Sequence, residues 1–236
     1  MAGLFRINMK ISVLTLARRR SRFLSHFIFN FLEKTEDLEN TELLIMASEN
    51  DDWNKDLFAY FKDHPSIKFF FEDRKLGKHG RHLFFNELAE KSTGEWVLHT
   101  CDDQMFIIDG WDNYIRSLAK SIDSSKINII IPQFSNTGDV DHFLSRGYIK
   151  AMGMGGYGNI DSWINEVRDV MPPDRIHRTP EAIMYDMTVD VEIFTPEYLT
   201  ADTSEGDKLP KWETTEVQAS LEADRQKVKE AINAGL

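Results

Sequence analysis

Apolar runs and amphipathic stretches alternate along the first half of the chain, with the different periods that strands and helices require. Ile11 to Leu16, Glu42 to Met46, Ile67 to Phe71, Glu95 to Thr100 and Ile127 to Pro132 are short apolar runs bounded by charged or turn residues, which predicts strands. Between the first two, Phe23, Leu24, Phe27, Ile28, Phe31 and Leu32 recur at helical spacing behind Ser21, a residue type that caps helices. Asp52 to Lys62, His79 to Lys91 (Leu83, Phe84, Leu88 and Ala89 inward) and Trp111 to Ser121 read as further helices. The turn Ser92-Thr93-Gly94 leads into the fourth strand. Strand and helix in alternation predict an α/β fold, a mostly parallel sheet flanked by helices.

After about residue 133 this rhythm breaks. Gln133 to Asp141 is polar and loop-like, and Ser145 to Met152 reads as a helix. Met152 to Gly158 is rich in glycine and is either a mobile lid or a plain connection. Asp161 to Val170 predicts a helix with Ile164 and Val167 inward, stopped by Pro172-Pro173. Met187 to Phe194 predicts a strand, and Ala201 to Lys211 is a charged connection. Glu213 to Ala234 is a mainly polar helix with a thin apolar stripe of Val217, Leu221, Val228 and Ile232. The expected division is one domain over 1–200, then a charged linker and C-terminal helix over 201–236 whose stripe offers a route to homo-oligomers.

Composition narrows the class. The chain has 236 residues, 42% hydrophobic and 28% charged, enough for one sizeable core. A net charge of -11 argues against broad nucleic-acid binding, which wants a basic face. No apolar run is long enough to span a bilayer, and Arg6 and Lys10 interrupt the short N-terminal stretch where a secretory signal would lie. Cys101 is the single cysteine, so no internal disulfide forms. A cytoplasmic protein is the expectation.

The candidate chemistry gathers at strand ends. Asp102 and Asp103 follow directly on the fourth strand. Adjacent carboxylates repel and are costly to bury unpaired, so their place at a strand's carboxyl end suggests a divalent metal with oxygen ligands. In open α/β sheets that edge is where ligands bind. Two basic clusters, Arg18 to Arg22 and Lys75, Lys78, His79 and Arg81, sit where helices begin, against the macrodipole. A bound diphosphate accounts for both, and plain solvated charge is the alternative. Asp161 starts a helix, as a cap or as a general base. His177 is a further metal ligand or a lone surface histidine. No G-x-G-x-x-G follows the first strand, which excludes the dinucleotide fingerprint.

Three segments in this order, Ile11 to Arg18, Glu42 to Met46 and Asn86 to Asp103, resemble glycosyltransferase family 2, with its opening strand, asparagine-bearing helix, Ala-x-Gly-acidic-aromatic turn (here with Ser92 in place of alanine) and acidic motif. The resemblance covers roughly residues 10 to 170. It implies a GT-A fold, related to the Rossmann sheet, with a nucleotide-diphosphate-sugar donor, Mn or Mg as cofactor, and transfer to a hydroxyl acceptor with inversion. By the same resemblance Asp103 is a metal ligand, Asp102 a metal or ribose contact, and Asp161 the base. Thr15 and Ala17 would lie by the nucleotide, with Arg18, Lys75, Lys78 and Arg81 toward the diphosphate. Cys101 replaces the usual first aspartate of the motif. The carboxylate that contacts the base would fall near Ala47-Ser48, with Asp51 or Asp52 as a substitute. A nucleotidyltransferase on a similar sheet, or a non-catalytic sugar- or protein-binding module, are the alternatives.

Overall fold

The computed structural model describes residues 8–17, 21–48, 52–72, 81–138, 141–155, 160–187 and 215–236. Its centre is an eight-stranded sheet in the order β3-β2-β1-β4-β7-β6-β8-β5. The strands are β1 (Ile11–Ala17), β2 (Thr41–Ser48), β3 (Ile67–Glu72), β4 (Trp96–His99), β5 (Gln104–Phe106), β6 (Ile129–Phe134), β7 (His142–Ser145) and β8 (Ile176–Asp186). β1 to β4 run parallel, and β7 turns antiparallel between β4 and β6. The α/β architecture expected from the sequence is therefore the one observed.

Helices cover both faces. On one side lie α1 (Ser21–Lys34), α2 (Asp52–Phe61) and α4 (Trp111–Ala119), burying Leu24, Phe27, Ile28, Phe31, Phe61, Trp111 and Ile115 against Ile11, Val13, Leu43 and Ile45. On the other lie α3 (Arg81–Lys91), α5 (Arg146–Met152), α6 (Ile160–Arg168) and α7 (Thr215–Asn233). These bury Leu88, Tyr148, Trp163, Ile164, Val167, Leu221 and Val228 against Leu14, Leu44 and Val97. Alternate residues of each strand feed opposite cores, which is why β1 and β2 read as continuous apolar runs.

Three expectations change. β5 and β7 are short strands that the sequence pattern did not separate from loop, and β8 occupies a stretch for which no strand was predicted. Met187 to Phe194, where a strand was expected, falls almost wholly outside the described residues. The third concerns α7, whose apolar stripe of Val217, Leu221 and Val228 is buried within the same chain. Those three residues pack within the same chain, with Ile232 partly buried against them. Among the described residues no helix is long and apolar enough to cross a membrane.

At the amino edge of the sheet a buried ion pair ties the layers together. Arg116 of α4 donates to Asp112 at 2.5 Å, to Met9 O, to Asn40 O and to Thr41 Oγ1. Asp112 in turn accepts the N–H groups of Glu36 and Asp37. The turn into β4 is equally constrained. A Cβ on Gly94 would come within 2.5 Å of the Ser12 nitrogen, so only glycine fits there.

Candidate active site at the carboxyl edge of the sheet

The parallel strands β1, β2, β3 and β4 all end on the same edge. Thr100 N–H bonds to Leu14 O at 3.1 Å, and the chain then turns through Cys101, Asp102 and Asp103. The turn is braced from within. Gln104 Oε1 accepts from the Thr100 hydroxyl at 2.5 Å and from Cys101 N–H at 3.3 Å. Asp102 is buried and Asp103 half-buried, so the second carboxylate stands nearer the surface.

The sheet curls so that its far edge returns to this turn. Phe106 of β5 exchanges two hydrogen bonds with the Asn30 side chain of α1, at 2.7 and 3.0 Å. β5 pairs antiparallel with the end of β8, Gln104 opposite Asp186, and Met187 N–H bonds to Asp103 O at 2.9 Å. The same register carries His177 away. It stands beside Ile130 at the start of β8, ten positions before Met187, roughly 30 Å of extended chain. His177 is thus not assembled with Asp102 and Asp103. Burial, offset in part by Asp174, holds its imidazole below the usual histidine range.

Around the end of β4 the structure collects a polar cluster. His99 stands opposite His142 on β7 and packs edge-to-face on Phe85, ring centroids 4.4 Å apart. Burial first, then His142 and Arg81, push the His99 imidazole down to about 3, so it is neutral at any working pH. The Phe85 contact brings α3 over the same end of β4 as the acid turn. His142 Nε2 donates to Asn165 Oδ1 of α6 at 3.1 Å. Asp161 lies in the first turn of that helix, four residues before Asn165.

The other candidates divide. Thr15 and Ala17 are both buried, their side chains turned into the core shared with α1 and α2. They underlie the site and offer it little surface. The Thr15 hydroxyl and Asn54 Oδ1 are buried without a hydrogen-bond partner among the described residues, while Asn54 Nδ2 reaches Ala17 O at 3.4 Å. Ser48 is half-buried at the end of β2, beside Glu72 of β3. Arg18, Asp51, Lys75 and Lys78 lie outside the described residues.

Sequence reasoning saw Asn86 only as part of a motif and missed what it holds in place. Asn86 of α3 accepts Met154 N–H at 2.7 Å and donates to Gly155 O at 3.5 Å. Gly153, at φ 69°, would clash with Asn86 if it bore a side chain, its Cβ landing 2.5 Å from Asn86 Oδ1. The start of the glycine-rich stretch is therefore a fitted connection, with Met154 fully buried. His142 and Asn165 carried no signal beyond their residue types, because a strand of four residues has too short a period to read.

Among the described residues no three His, Cys, Asp or Glu side chains converge into a cage for a metal ion. One or two carboxylates on a turn suit a different arrangement, in which Mg or Mn takes its remaining oxygen ligands from bound phosphates and water. The donor set at Asp102 and Asp103 is of that kind.

Several solved structures share this architecture. The mannosyltransferase PcManGT from Pyrobaculum calidifontis, in complex with GDP-Man and Mn2+, is similar at TM-score 0.60 and 12% identity, over 96% of this chain and 74% of that one. S. aureus TarS 1-349 is similar at TM-score 0.58 and 14% identity, over 96% of this chain and 83% of that one. In its complex with UDP the same TarS fragment aligns at TM-score 0.56 and 14% identity, over 75% of this chain and 60% of that one. No protein-family model and no curated protein matches the sequence. At such identities the likeness establishes the fold, a GT-A-like α/β sheet, as the sequence resemblance implied.

Proposed function

We propose that the chain is a metal-dependent, inverting glycosyltransferase that moves a hexosyl group from a nucleotide-diphosphate donor to an acceptor hydroxyl. The observation that carries the reading is the shared edge. The acid turn follows β4, α3 packs over His99 through Phe85, and Asn165 of α6 bonds His142 beside His99, which supports a site at the carboxyl end of β4. The similarity to PcManGT, solved with GDP-Man and Mn2+, and to TarS, solved with UDP, supports a nucleotide-sugar donor.

In this reading Asp103, with Asp102 behind it, holds Mn or Mg, whose charge offsets that of the diphosphate oxygens. Arg81 adds a fixed positive charge toward the departing diphosphate, and Arg18, Lys75 and Lys78 are assigned to the same task from sequence. Asp161 takes the proton from the acceptor hydroxyl as its oxygen attacks the anomeric carbon. The bond from that carbon to the diphosphate oxygen breaks on the opposite face, which inverts the configuration. Ser48 and Asp51 are assigned toward the nucleoside from sequence.

A panel of nucleotide-sugars, each with Mn, tests the proposal by the rise in melting temperature that a native-state ligand gives. Turnover of the responding donor should release nucleoside diphosphate. Release of pyrophosphate would instead indicate nucleotidyl transfer, and no response to any nucleotide-sugar would leave a non-catalytic module.

A further inference from the structure

β3 is one edge of the sheet, and among the described residues no strand pairs with its outer side. Leu43 N–H bonds to Ser66 O at 2.7 Å, and the parallel register sets Leu43 beside Ile67. In such a ladder Lys68, Phe70 and Glu72 turn their main-chain groups to β2. Ile67, Phe69 and Phe71 turn theirs outward. An apolar edge with outward donors and acceptors is a template for another strand.

Both faces of this edge carry aromatic rings. Phe69 and Phe71 stack with centroids 6.3 Å apart and meet Phe58 of α2 edge-on at 5.8 and 5.3 Å. Phe58 keeps 36% of its surface in water. Phe70 lies on the opposite face, with Lys91 Nζ 5.2 Å from its ring centre. An open edge lined on both faces by aromatic rings is a place where a further strand can add.

We infer that β3 pairs antiparallel with β3 of a second copy, about a two-fold axis at Phe70. The strand's own sequence, Ile67-Lys-Phe-Phe-Phe-Glu72, selects that occupant and that register. With Phe70 opposite itself, Lys68 faces Glu72 on both sides of the axis, and Phe69 faces Phe71. Sliding by two residues either way sets Lys68 or Glu72 against Phe70, which loses the charge match. An odd slide would set outward main-chain groups against inward ones. Phe69 and Phe71 then form the hydrogen-bonded pairs, each exchanging both N–H···O bonds. Lys68 and Glu72 fall in the closer, non-hydrogen-bonded pairs, where side chains interact most strongly. Lys68 already holds Glu42 at 2.7 Å, and an ammonium with three donors serves both carboxylates. The interface is lateral, three strands from β4, so it leaves the acid turn open.

Sedimentation equilibrium of the full chain at about 100 μM should show a monomer–dimer equilibrium, since a pairing of this size sits at the weak end of specific interfaces. Lys68→Glu and Glu72→Lys each place like charges opposite one another, so each variant alone should sediment as monomer. Mixed in equal amounts, the two are complementary and should dimerise again. Phe70→Cys should give, on mild oxidation, a disulfide between the two position-70 residues, identified by peptide mass, because that pair meets at the axis. This last readout needs no charge variant to fold. Wild type that stays monomeric, charge variants that dimerise alone, a mixture that stays monomeric, or a cross-link that runs through Cys101 would each overturn the inference.

Discussion

His142 Nε2 lies 3.1 Å from Asn165 Oδ1. A carbonyl oxygen only accepts, so His142 carries its ring proton on Nε2. The bond joins β7, next to the acid-bearing β4, to α6, whose first turn holds Asp161. One side-chain contact thereby ties α6 to the strand beside β4.

Breaking that contact should injure the chemistry more than donor binding. His142→Ala is expected to lower kcat by roughly 10- to 100-fold, the cost of about an ångström of misplacement, with donor affinity unchanged by calorimetry. His142→Gln, whose amide still donates, should recover most of the loss. A change in donor affinity with kcat intact would place the role of His142 elsewhere.

Asp103 and Asp161 should fail in different ways. Asp103→Ala removes the carboxylate nearer the surface of the turn, and is expected to abolish both transfer and the Mn-dependent rise in melting temperature given by the donor. Asp161→Asn should keep the donor-induced rise and lose roughly 100- to 10,000-fold in turnover, the range for a missing general base. Equal loss of donor binding in both variants would contradict the division of labour.

Apolar periodicity was enough to read the half of the fold that is parallel and regular. β1 to β4 and the helices between them are long enough to show their periods, and the acid turn follows from β4. β5, β7 and β8 escaped because their pairing is decided by contacts distant in sequence. Gln104 pairs with Asp186 and His99 with His142, and neither partner is marked locally. The same holds for Asn86, which was visible as part of a motif while its partners at Met154 and Gly155 were not. His177 shows the converse, a metal-ligating residue type that the register of β8 carries to the far end of the strand.

His99 gives the fold a pH dependence with a definite sign. Its imidazole is ordinarily half-protonated near pH 6.5, while in the folded chain burial, His142 and Arg81 lower that to about 3. Below about pH 6.5 the unfolded chain binds a proton that the native one refuses, so stability falls as pH falls, at up to about 1.4 kcal/mol per unit until about pH 3. Urea midpoints measured from pH 7 to pH 4 should decline accordingly. His99→Gln should flatten the slope by about one proton, and an unchanged slope would assign the acid sensitivity to other groups.

The Arg116–Asp112 pair should matter to stability alone. Both side chains are buried, at 2% and 0% exposure, and the pair stands at the amino edge of the sheet, away from the acid turn. Arg116→Ala leaves a buried carboxylate without its charge partner and is expected to cost about 3–5 kcal/mol. For a chain of this size that is a fall of roughly 10 °C in melting temperature. Donor affinity at a temperature well below the transition should not move.

α7 holds α6 from behind, and its removal separates two roles for the C-terminal helix. Asp224 accepts a hydrogen bond from the Trp163 indole at 3.1 Å, and Arg225 pairs with Glu166, so two residues of α6 are clamped by polar contacts. Burial, opposed by the Trp163 bond, holds the Asp224 carboxyl above its usual range. Val217, Leu221 and Val228 complete the core beneath. At about 1.5–3 kcal/mol for each buried side chain, a chain ending at residue 211 should lose several kcal/mol of stability and bind hydrophobic dyes. Transfer should fall with it, because Asp161 rides on the helix that has lost its support. The sedimentation behaviour of whatever fraction stays folded should match that of the intact chain, since the stripe faces inward. A helix serving assembly would give the opposite pattern, a folded core with normal melting and an altered association state.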